Sequence, residues 1–355
     1  MLRPSLVEAE MSPSLLLRLS FALVLGLSAG LAHPAPDRQG NGEAAEFPGQ
    51  RLALKRASDA VLGVQSTATE GASTIDTLGE YRAGSGVVIA SDGLVLTIGY
   101  LILEAEEVEL VLDSGKRMPA RVVAYDLATG FGLVQAVLPL GIAPAQLGQA
   151  HAVAEGEPLL FVSGGDDGAL SAAELVSRRG FSGYWEYHID GALFTSPARR
   201  DHSGAGLFNA QGELIGIGSL LVPSAPGDGS RRAGNMFVPV DLLPPIFAEL
   251  RERGVSRASM RAWLGVNCVE QDDGLRVVRV SRDSPAEMAG LQPGDLIRRL
   301  DGAPVGGLES FYKMLWNGGS AERDLTIEVL REGRMQSVPV HSIDRTQTLR
   351  RARGI

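Results

Sequence analysis

Cysteine, histidine and lysine, three residue types that often act as nucleophiles, bases or metal ligands, are scarce in this sequence. Cys268 is the single cysteine, so it cannot form an internal disulfide, and a metal site would need further ligands. It lies in a strand-like run, which predicts a small buried hydrophobic residue. His202 adjoins Ser203, but successive side chains in an extended loop point apart, so this histidine is badly placed as a base for that hydroxyl. The other histidines are His33, His151, His188 and His341, and the lysines are Lys55, Lys116 and Lys313.

Composition and charge narrow the class of protein. The 355 residues carry a net charge of −9, and 45% of them are hydrophobic and 21% charged. This is typical of a soluble globular protein that is long enough for two domains with hydrophobic cores. A net negative charge argues against nucleic acid as the main partner, because phosphate binding needs a basic surface. The basic segment at residues 345–355 favours a solvated, frayed tail, and no metal or nucleotide signature is present, so no cofactor is predicted.

The N-terminal segment has the features of a secretory signal peptide. An apolar run follows Arg18 and ends in small residues, with Gly30 and Ala32 at the spacing of a cleavage site. Its uninterrupted part is shorter than the about 20 residues that a membrane span needs, so no stable span is predicted. An uncleaved membrane anchor is the alternative, and both place the folded part outside the cytoplasm. Acidic residues precede the apolar run, which leaves translation from Met1 or from Met11 open.

Short strands dominate residues 51–252. Runs rich in Val, Ile and Leu are separated by turn signals at residues 91–93, 113–116 and 211–212, which indicate hairpins. Hairpins at this density predict an antiparallel barrel or sandwich. Within this unit the segment LVLTIGYLIL, residues 94–103, predicts a strand that runs into a short helix. A longer helix that stops at Gly254 ends the unit.

A second unit, which mixes strands and helices, begins near residue 262. Its first strands are WLGVNCVE and LRVVRVS. A short helix follows, with Ser284 as N-cap, Pro285 at the first helical position and Gly290 closing it. A second helix, LESFYKMLWNG, carries an apolar stripe that includes Phe311 and Leu315.

Four segments of the sequence resemble known protein families. SPAEMAGLQPGDLIRRLDGAPV, residues 284–305, closely resembles the most characteristic stretch of bacterial PDZ domains. Ahead of it, GSGVVIASDGLVLT, AYDLATGFGLVQA and GELIGIGSLL resemble the trypsin-fold half of the HtrA/DegP family of envelope proteases. The resemblance covers about residues 52–342. It implies a mainly β fold, in which a chymotrypsin-like double β-barrel is followed by one C-terminal α+β PDZ domain.

The resemblance also implies where a catalytic triad would lie, and two of its three residues are replaced. The family has its histidine in a T-N-x-H-V stretch, where this sequence has TIGYL and places Tyr100. It has its aspartate in T-D-L-A-V-L, where this sequence has TGFGLV and places Gly130. The nucleophile position keeps Ser203. However, Asp201 stands where the family has a glycine whose N–H helps to form the oxyanion hole.

These replacements predict a proteolytically silent domain with a vestigial nucleophile. A phenol with a pKa near 10 is a poor base at neutral pH. Asp126 and Glu104 lie near the replaced positions in the sequence, but a carboxylate alone does not activate a serine. None of the lysines belongs to a segment expected near Ser203. His188, in the aromatic segment GYWEYHID, is the best candidate for a substitute base, and an ordinary barrel or surface histidine is the alternative.

The PDZ resemblance implies peptide binding. PDZ domains add an extended peptide to a sheet edge, and a loop of backbone N–H groups receives its C-terminal carboxylate. Here that carboxylate loop is residues 262–265, and the second helix supplies the opposite wall; the alternative is that WLGV is only a core strand. The aromatic segment GYWEY, residues 183–187, could line a groove or cover a barrel end. The predicted peptide-binding residues are Trp263, Leu264, Gly265, Val266, Phe311 and Leu315.

Three functions follow from these patterns. The first is a non-catalytic HtrA-like protein, periplasmic or secreted, that binds unfolded proteins or peptide C-termini in protein quality control. The second is an active serine endopeptidase that uses Ser203 with a non-standard base. The third is a regulatory subunit that forms mixed oligomers with an active relative. Because the barrel halves of the family commonly form trimers, the resemblance implies either a homo-trimer or such a mixed oligomer. The predicted order is a signal peptide at 1–32, a flexible linker at 33–50, the double barrel at 51–255, a linker at 256–261, the PDZ domain at 262–343 and a basic tail at 344–355.

Overall fold

A computed structural model describes residues 48–350, so the predicted signal peptide, most of the first linker and the end of the tail lie outside the described residues. Six antiparallel strands close into a first barrel in the order β1-β2-β3-β6-β5-β4. These strands are β1 (Val61–Ala68), β2 (Tyr81–Val88), β3 (Leu94–Ile98), β4 (Ala105–Val111), β5 (Arg117–Tyr125) and β6 (Phe131–Ala136).

A second barrel of six antiparallel strands follows, in the order β10-β11-β12-β9-β8-β7. The fully buried side chains of Leu96 and Phe194, one from each barrel, belong to a single hydrophobic cluster, so the two barrels pack on each other. The predicted hairpins are confirmed, because the three turn signals join β2 to β3, β4 to β5 and β10 to β11. The strands of this barrel are β7 (Pro158–Val162), β8 (Leu170–Gly183), β9 (Tyr187–Ser196), β10 (Gly206–Phe208), β11 (Leu214–Val222) and β12 (Gly234–Pro239).

The second unit is a sheet in the order β13-β19-β18-β16-β15-β14, with β17 paired to β16. Strand β14 therefore lies at one edge. The helix α4 (Pro285–Met288) has the predicted cap, since the Ser284 hydroxyl accepts the N–H of Glu287. The helix α5 (Leu308–Asn317) packs its apolar face into the core of this unit. The strands are β13 (Ala262–Trp263), β14 (Val266–Gln271), β15 (Gly274–Val280), β16 (Leu296–Leu300), β17 (Ala303–Pro304), β18 (Arg323–Arg331) and β19 (Arg334–Asp344).

Three further helices lie in or before the double barrel: α1 (Pro48–Asp59), α2 (Ile75–Leu78) and α3 (Phe247–Arg253). Helix α3 ends as predicted, because Gly254 adopts the left-handed conformation and its N–H donates to the carbonyl of Leu250. Helix α1 was not predicted; its sequence LALKRAS consists largely of good helix formers. No helix within residues 48–350 is long and apolar enough to cross a bilayer.

The prediction of a frayed tail is wrong for residues 345–350. Residues Arg345–Gln347 form a 3₁₀ turn, and the Asp344 carboxylate accepts the N–H of Thr346 at 2.9 Å. The backbone N–H of Arg350 then donates to the Glu104 carboxylate of the first barrel at 2.9 Å. The segment therefore returns to the barrel, because a buried carboxylate there offers a hydrogen-bond acceptor.

Candidate functional site

Ser203 lies where the two barrels meet. Its carbonyl accepts the N–H of Ser85 from β2 at 2.8 Å, which joins the serine loop to the first barrel. The next residue, Gly204, donates its N–H to Gly218 of β11 at 2.8 Å. Gly204 has φ +74°, and a Cβ at this position would lie 1.9 Å from the Ser85 carbonyl oxygen. Only glycine therefore allows this close approach of the loop to the first barrel.

Tyr100 reaches Ser203 directly. It lies in the 3₁₀ turn Gly99–Leu101 that follows β3, and its hydroxyl is 2.8 Å from Ser203 Oγ and 2.7 Å from the carbonyl oxygen of Ser219. The register of β11 shifts between Gly218 and Leu220, at Ser219. A carbonyl only accepts, so the single phenolic proton goes to Ser219 and the phenol oxygen is left to accept the Ser203 proton.

The phenol of Tyr100 stays protonated at neutral pH. Burial raises its pKa to about 12, although the hydrogen bond with Ser203 acts in the opposite direction. At pH 7 the phenolate is then about one part in 10⁵ of the population. The side chain therefore holds the Ser203 hydroxyl in a hydrogen bond without the ability to remove its proton.

Arg82 fixes the turn that carries Tyr100. Its guanidinium donates to the carbonyl oxygens of Tyr100, at 3.1 Å, and of Leu103, and to the Thr74 hydroxyl at 2.8 Å. The side chain is buried, so these neutral acceptors replace its hydration. The position of Tyr100 is thus set by the Arg82 side chain from β2 as well as by its own hydroxyl.

Gly130 faces a tyrosine rather than supplying a carboxylate. Its carbonyl accepts the N–H of Gly99 at 2.7 Å, so Gly130 lies beside the turn that carries Tyr100, and the two positions predicted to replace triad residues are neighbours. A Cβ on Gly130 would lie 2.9 Å from the hydroxyl oxygen of Tyr187, which itself donates to the Thr129 carbonyl at 2.7 Å. The φ of Gly130 is +82°. An aspartate at this position would meet both backbone strain and the Tyr187 hydroxyl.

The nearby carboxylates are engaged elsewhere. Asp126 is fully buried and accepts the N–H and hydroxyl of Thr129, at 2.9 and 2.7 Å, and the hydroxyls of Ser256 and Ser259. Glu104 is buried and accepts the N–H and hydroxyl of Thr74 at 2.9 and 2.8 Å. These hydrogen bonds satisfy the two carboxylates within the turns that precede Gly130 and follow Tyr100.

His188, the candidate substitute base, lies at the junction of the second barrel and α5. Its Nδ1 is 2.8 Å from the Ser182 hydroxyl and its Nε2 is 3.1 Å from the Asp190 carboxylate, so both ring nitrogens have partners other than Ser203. Asp190 and Glu309 could together with His188 face a cation, but the Lys313 ammonium already pairs with both carboxylates, at 3.3 and 2.6 Å.

Asp201 and His202 directly precede Ser203, and their side chains are hydrogen-bonded to other groups. The Nδ1–H of His202 donates to the Arg199 carbonyl at 3.0 Å, and burial lowers the pKa of this imidazole. The Asp201 carboxylate accepts from Arg199 and from Ser163, at 2.8 and 2.5 Å. Burial alone would raise the pKa of Asp201, but these hydrogen bonds outweigh it and hold the pKa below its ordinary range. An ionised carboxylate that is paired with Arg199 thus lies two residues before Ser203.

Comparison with known proteins agrees with this arrangement of elements. Residues 84–217 match the trypsin-like peptidase domain family, and residues 262–341 match the PDZ domain family. A probable periplasmic serine endoprotease DegP-like of Pseudomonas putida is 27% identical over 274 residues, which are 72% of this chain and 55% of the relative. The serine endoprotease DegS of Haemophilus influenzae is 26% identical over 309 residues, which are 81% and 85% of the two chains.

The solved structure of the HtrA-type protease AlgW with decapeptide superposes with a TM-score of 0.53 at 20% identity, over 85% of this chain and 99% of the other. The chain is HtrA-like in its fold and in the order of its two matched domains. It spans about half the length of its DegP-like relatives, at 55% of the Pseudomonas putida protein. Within the described residues it has a trypsin-like domain followed by one PDZ domain.

The predicted carboxylate loop of the PDZ unit is already in contact with a carboxylate. The backbone N–H groups of Leu264, Gly265 and Val266 donate to the Glu186 carboxylate at 3.1, 2.7 and 2.9 Å. Trp263 lies beside them in β13 and pairs with β19. Sequence reasoning missed Glu186, because only the aromatic character of residues 183–187 marked this segment and nothing local connects it to the PDZ unit.

The wall of the PDZ groove differs from the prediction. Phe311 and Leu315 are fully buried in the hydrophobic cluster of the PDZ unit. The polar group that α5 presents is the hydroxyl of Tyr312, which donates to the Gly183 carbonyl at 2.8 Å and accepts the Glu186 N–H at 3.1 Å. Cys268 is fully buried and free, as predicted.

Proposed function

We propose that this chain is a proteolytically silent HtrA-family protein of the bacterial envelope that binds unfolded or C-terminal peptide segments through its PDZ domain. The observation that carries the proposal is the contact between the Tyr100 hydroxyl and Ser203 Oγ at 2.8 Å. A protonated phenol occupies the place at which an active relative needs a base.

The chemistry follows from which groups could accept a proton. Removal of the serine proton by Tyr100 would require a phenolate, which a pKa of about 12 suppresses at neutral pH. Gly130 offers no carboxylate to orient a base. Loss of base and orienting carboxylate in a fold of this kind lowers turnover by about four to six powers of ten. Background hydrolysis by such a site is negligible for a cellular function.

Peptide binding is supported by the PDZ match and by the predicted carboxylate loop, whose N–H groups converge on the carboxyl group of Glu186. The envelope location is supported by the apolar N-terminal run and by the relatives, whose descriptions include periplasmic endoproteases. Quality control of unfolded proteins is the role that combines a peptide-binding domain with this location.

Proteolysis by the mature chain, residues 33–355, tests the proposal. We expect no cleavage of unfolded casein and no labelling of Ser203 by a fluorophosphonate probe above the level of the Ser203→Ala variant, because the serine cannot be deprotonated. A DegP-like relative serves as the positive control in the same buffer. Casein cleavage by the wild type that Ser203→Ala abolishes would overturn the proposal and establish the serine endopeptidase with a non-standard base.

A further inference from the structure

Glu186 belongs to the second barrel, but its carboxylate is bound by the PDZ unit. It lies in the turn between β8 and β9, and its side chain is 4% exposed. Oε1 accepts the N–H groups of Gly265 and Val266 at 2.7 and 2.9 Å, and Oε2 accepts that of Leu264 at 3.1 Å. Successive backbone N–H groups that converge on one carboxylate form the arrangement by which such a loop captures a peptide C-terminus.

The backbone of the same turn also pairs with the groove. The N–H of Cys268, in the edge strand β14, donates to the carbonyl of Tyr184 at 3.0 Å. An added peptide strand would use this outward-facing N–H, since strand addition depends on the unpaired groups of a sheet edge. A carboxylate in the loop and a carbonyl on the edge strand are the two main-chain features of a bound C-terminal peptide.

Helix α5 forms the wall of the groove opposite β14. The Tyr312 hydroxyl bridges the Gly183 carbonyl and the Glu186 N–H, so the turn is held from both walls of the groove. Glu186 adopts φ +56°, the left-handed conformation that is usual for the last residue of a three-residue hairpin loop, here the loop between the paired residues Gly183 and Tyr187.

We propose that the turn at residues 183–187 is an internal ligand of the PDZ groove, in which the Glu186 carboxylate stands in for the C-terminal carboxylate of a peptide. An outside peptide with a free C-terminus binds only by displacing this turn. The inference rests on the proposed peptide-binding function, and it adds that the groove is self-occupied. The apparent affinity for peptides is then the intrinsic affinity multiplied by the fraction of molecules in which the turn is undocked.

The test removes either of the two anchors of the turn in the mature chain. Glu186→Ala deletes the carboxylate, and Tyr312→Phe deletes the hydroxyl while keeping the ring. Glu309→Gln is the matched control, because Glu309 lies on α5 at the same junction but pairs with Lys313. Hydrogen exchange of residues 262–270 reports whether the loop amides are covered.

The binding probe is a pool of fluorescent decapeptides that end in Val, Leu, Ile or Phe, with a free C-terminus or as C-terminal amides.

We expect the loop amides to be protected in the wild type and in Glu309→Gln, and to exchange at least tenfold faster in Glu186→Ala. We also expect Glu186→Ala to bind the free-carboxylate pool at least tenfold more tightly than the wild type, with a smaller gain for Tyr312→Phe and no gain with the amides. Equal protection in wild type and Glu186→Ala would overturn the inference. Equal peptide affinity would also overturn it while leaving the proposed function intact. If Glu186→Ala exposes the amides but binds no peptide, the docked turn stands and the proposed function fails.

Discussion

At the residue scale, two tyrosines fill the space of the groups that a serine protease would need. The Tyr100 hydroxyl meets Ser203, and the Tyr187 hydroxyl meets the backbone beside Gly130. Each phenol donates to a backbone carbonyl, that of Ser219 or Thr129. The pKa of Tyr187 is raised well above its ordinary value, first of all by burial. Both groups act as neutral hydrogen-bond donors, so together they stabilise the interface between the barrels and exchange no protons near neutral pH.

The close contact between Gly130 and Tyr187 predicts the effect of a single added methyl group. Gly130→Ala should destabilise the fold by about 2 kcal/mol or more, from a positive φ and from crowding of the Tyr187 hydroxyl. Chemical denaturation measures the change in free energy of unfolding. Gly141→Ala is the matched control, since Gly141 has φ +68° and nothing within 4 Å of an added Cβ, so it reports backbone strain alone.

The comparison of these two variants decides whether the contact matters. The loss in free energy of unfolding should be about 1 kcal/mol larger for Gly130→Ala than for Gly141→Ala, which is the usual order of a small-to-large clash. Equal losses at the two positions would show that Tyr187 moves away freely and that an aspartate could be accommodated at residue 130.

At the element scale, the sequence predicted what depends on local signals. Asp-Gly and Ser-Gly turns marked the hairpins, and Ser284 with Pro285 marked α4. These residues determine the backbone conformation only within a few positions along the chain, so their effect can be predicted from the sequence. The placement of Tyr100 beside Ser203, 103 residues away, followed only from the family motif. The contact between Glu186 and Val266 joins residues 80 positions apart, and that between Arg350 and Glu104 joins residues 246 positions apart. Such contacts leave no periodic pattern in the sequence, so they could not be predicted.

The C-terminal segment and the first barrel are joined by Glu104. Hydrogen bonds from Arg350 and Thr74 to this carboxylate outweigh the effect of its burial, and they hold its pKa below the ordinary range. A carboxyl whose pKa is lower in the folded state stabilises the protein above its unfolded pKa, about 4.3 for glutamate. This stabilisation is lost as the pH falls through the lowered folded pKa.

Glu104→Gln should therefore destabilise the protein by about 1–3 kcal/mol at pH 7, because an amide replaces an acceptor that receives several donors. The difference from the wild type should shrink as the pH is lowered below 4, measured by urea unfolding at a series of pH values. Glu106→Gln, two residues further along and exposed, is the control and should change stability little. A loss that is the same at pH 7 and pH 3 would show that the charge of Glu104 does not matter.

At the scale of the whole molecule, the barrels and the PDZ unit are joined by a buried polar connection. Ser256 and Ser259 are fully buried and donate their hydroxyls to Asp126, and the Ser259 hydroxyl accepts the N–H of Ala128 at 3.1 Å. Arg261 lies 3.5 Å from the ring centre of Trp316, and burial lowers the pKa of its guanidinium to about 10. The segment predicted as a linker is thus fixed to the turn that precedes Gly130.

This connection predicts that one hydroxyl controls how often the segment at residues 256–261 opens. Ser259→Ala leaves a buried carboxylate with one donor fewer, a loss of about 1–2 kcal/mol, so local opening should become about tenfold more frequent. Limited trypsinolysis after Arg257 should then accelerate by the same factor, because cleavage follows the population of the open form. Ser337→Ala, at an exposed position of β19, should leave the rate unchanged. If Ser259→Ala is cleaved no faster than Ser337→Ala, the covalent linker and the apolar contacts hold the junction without help from the Asp126 network.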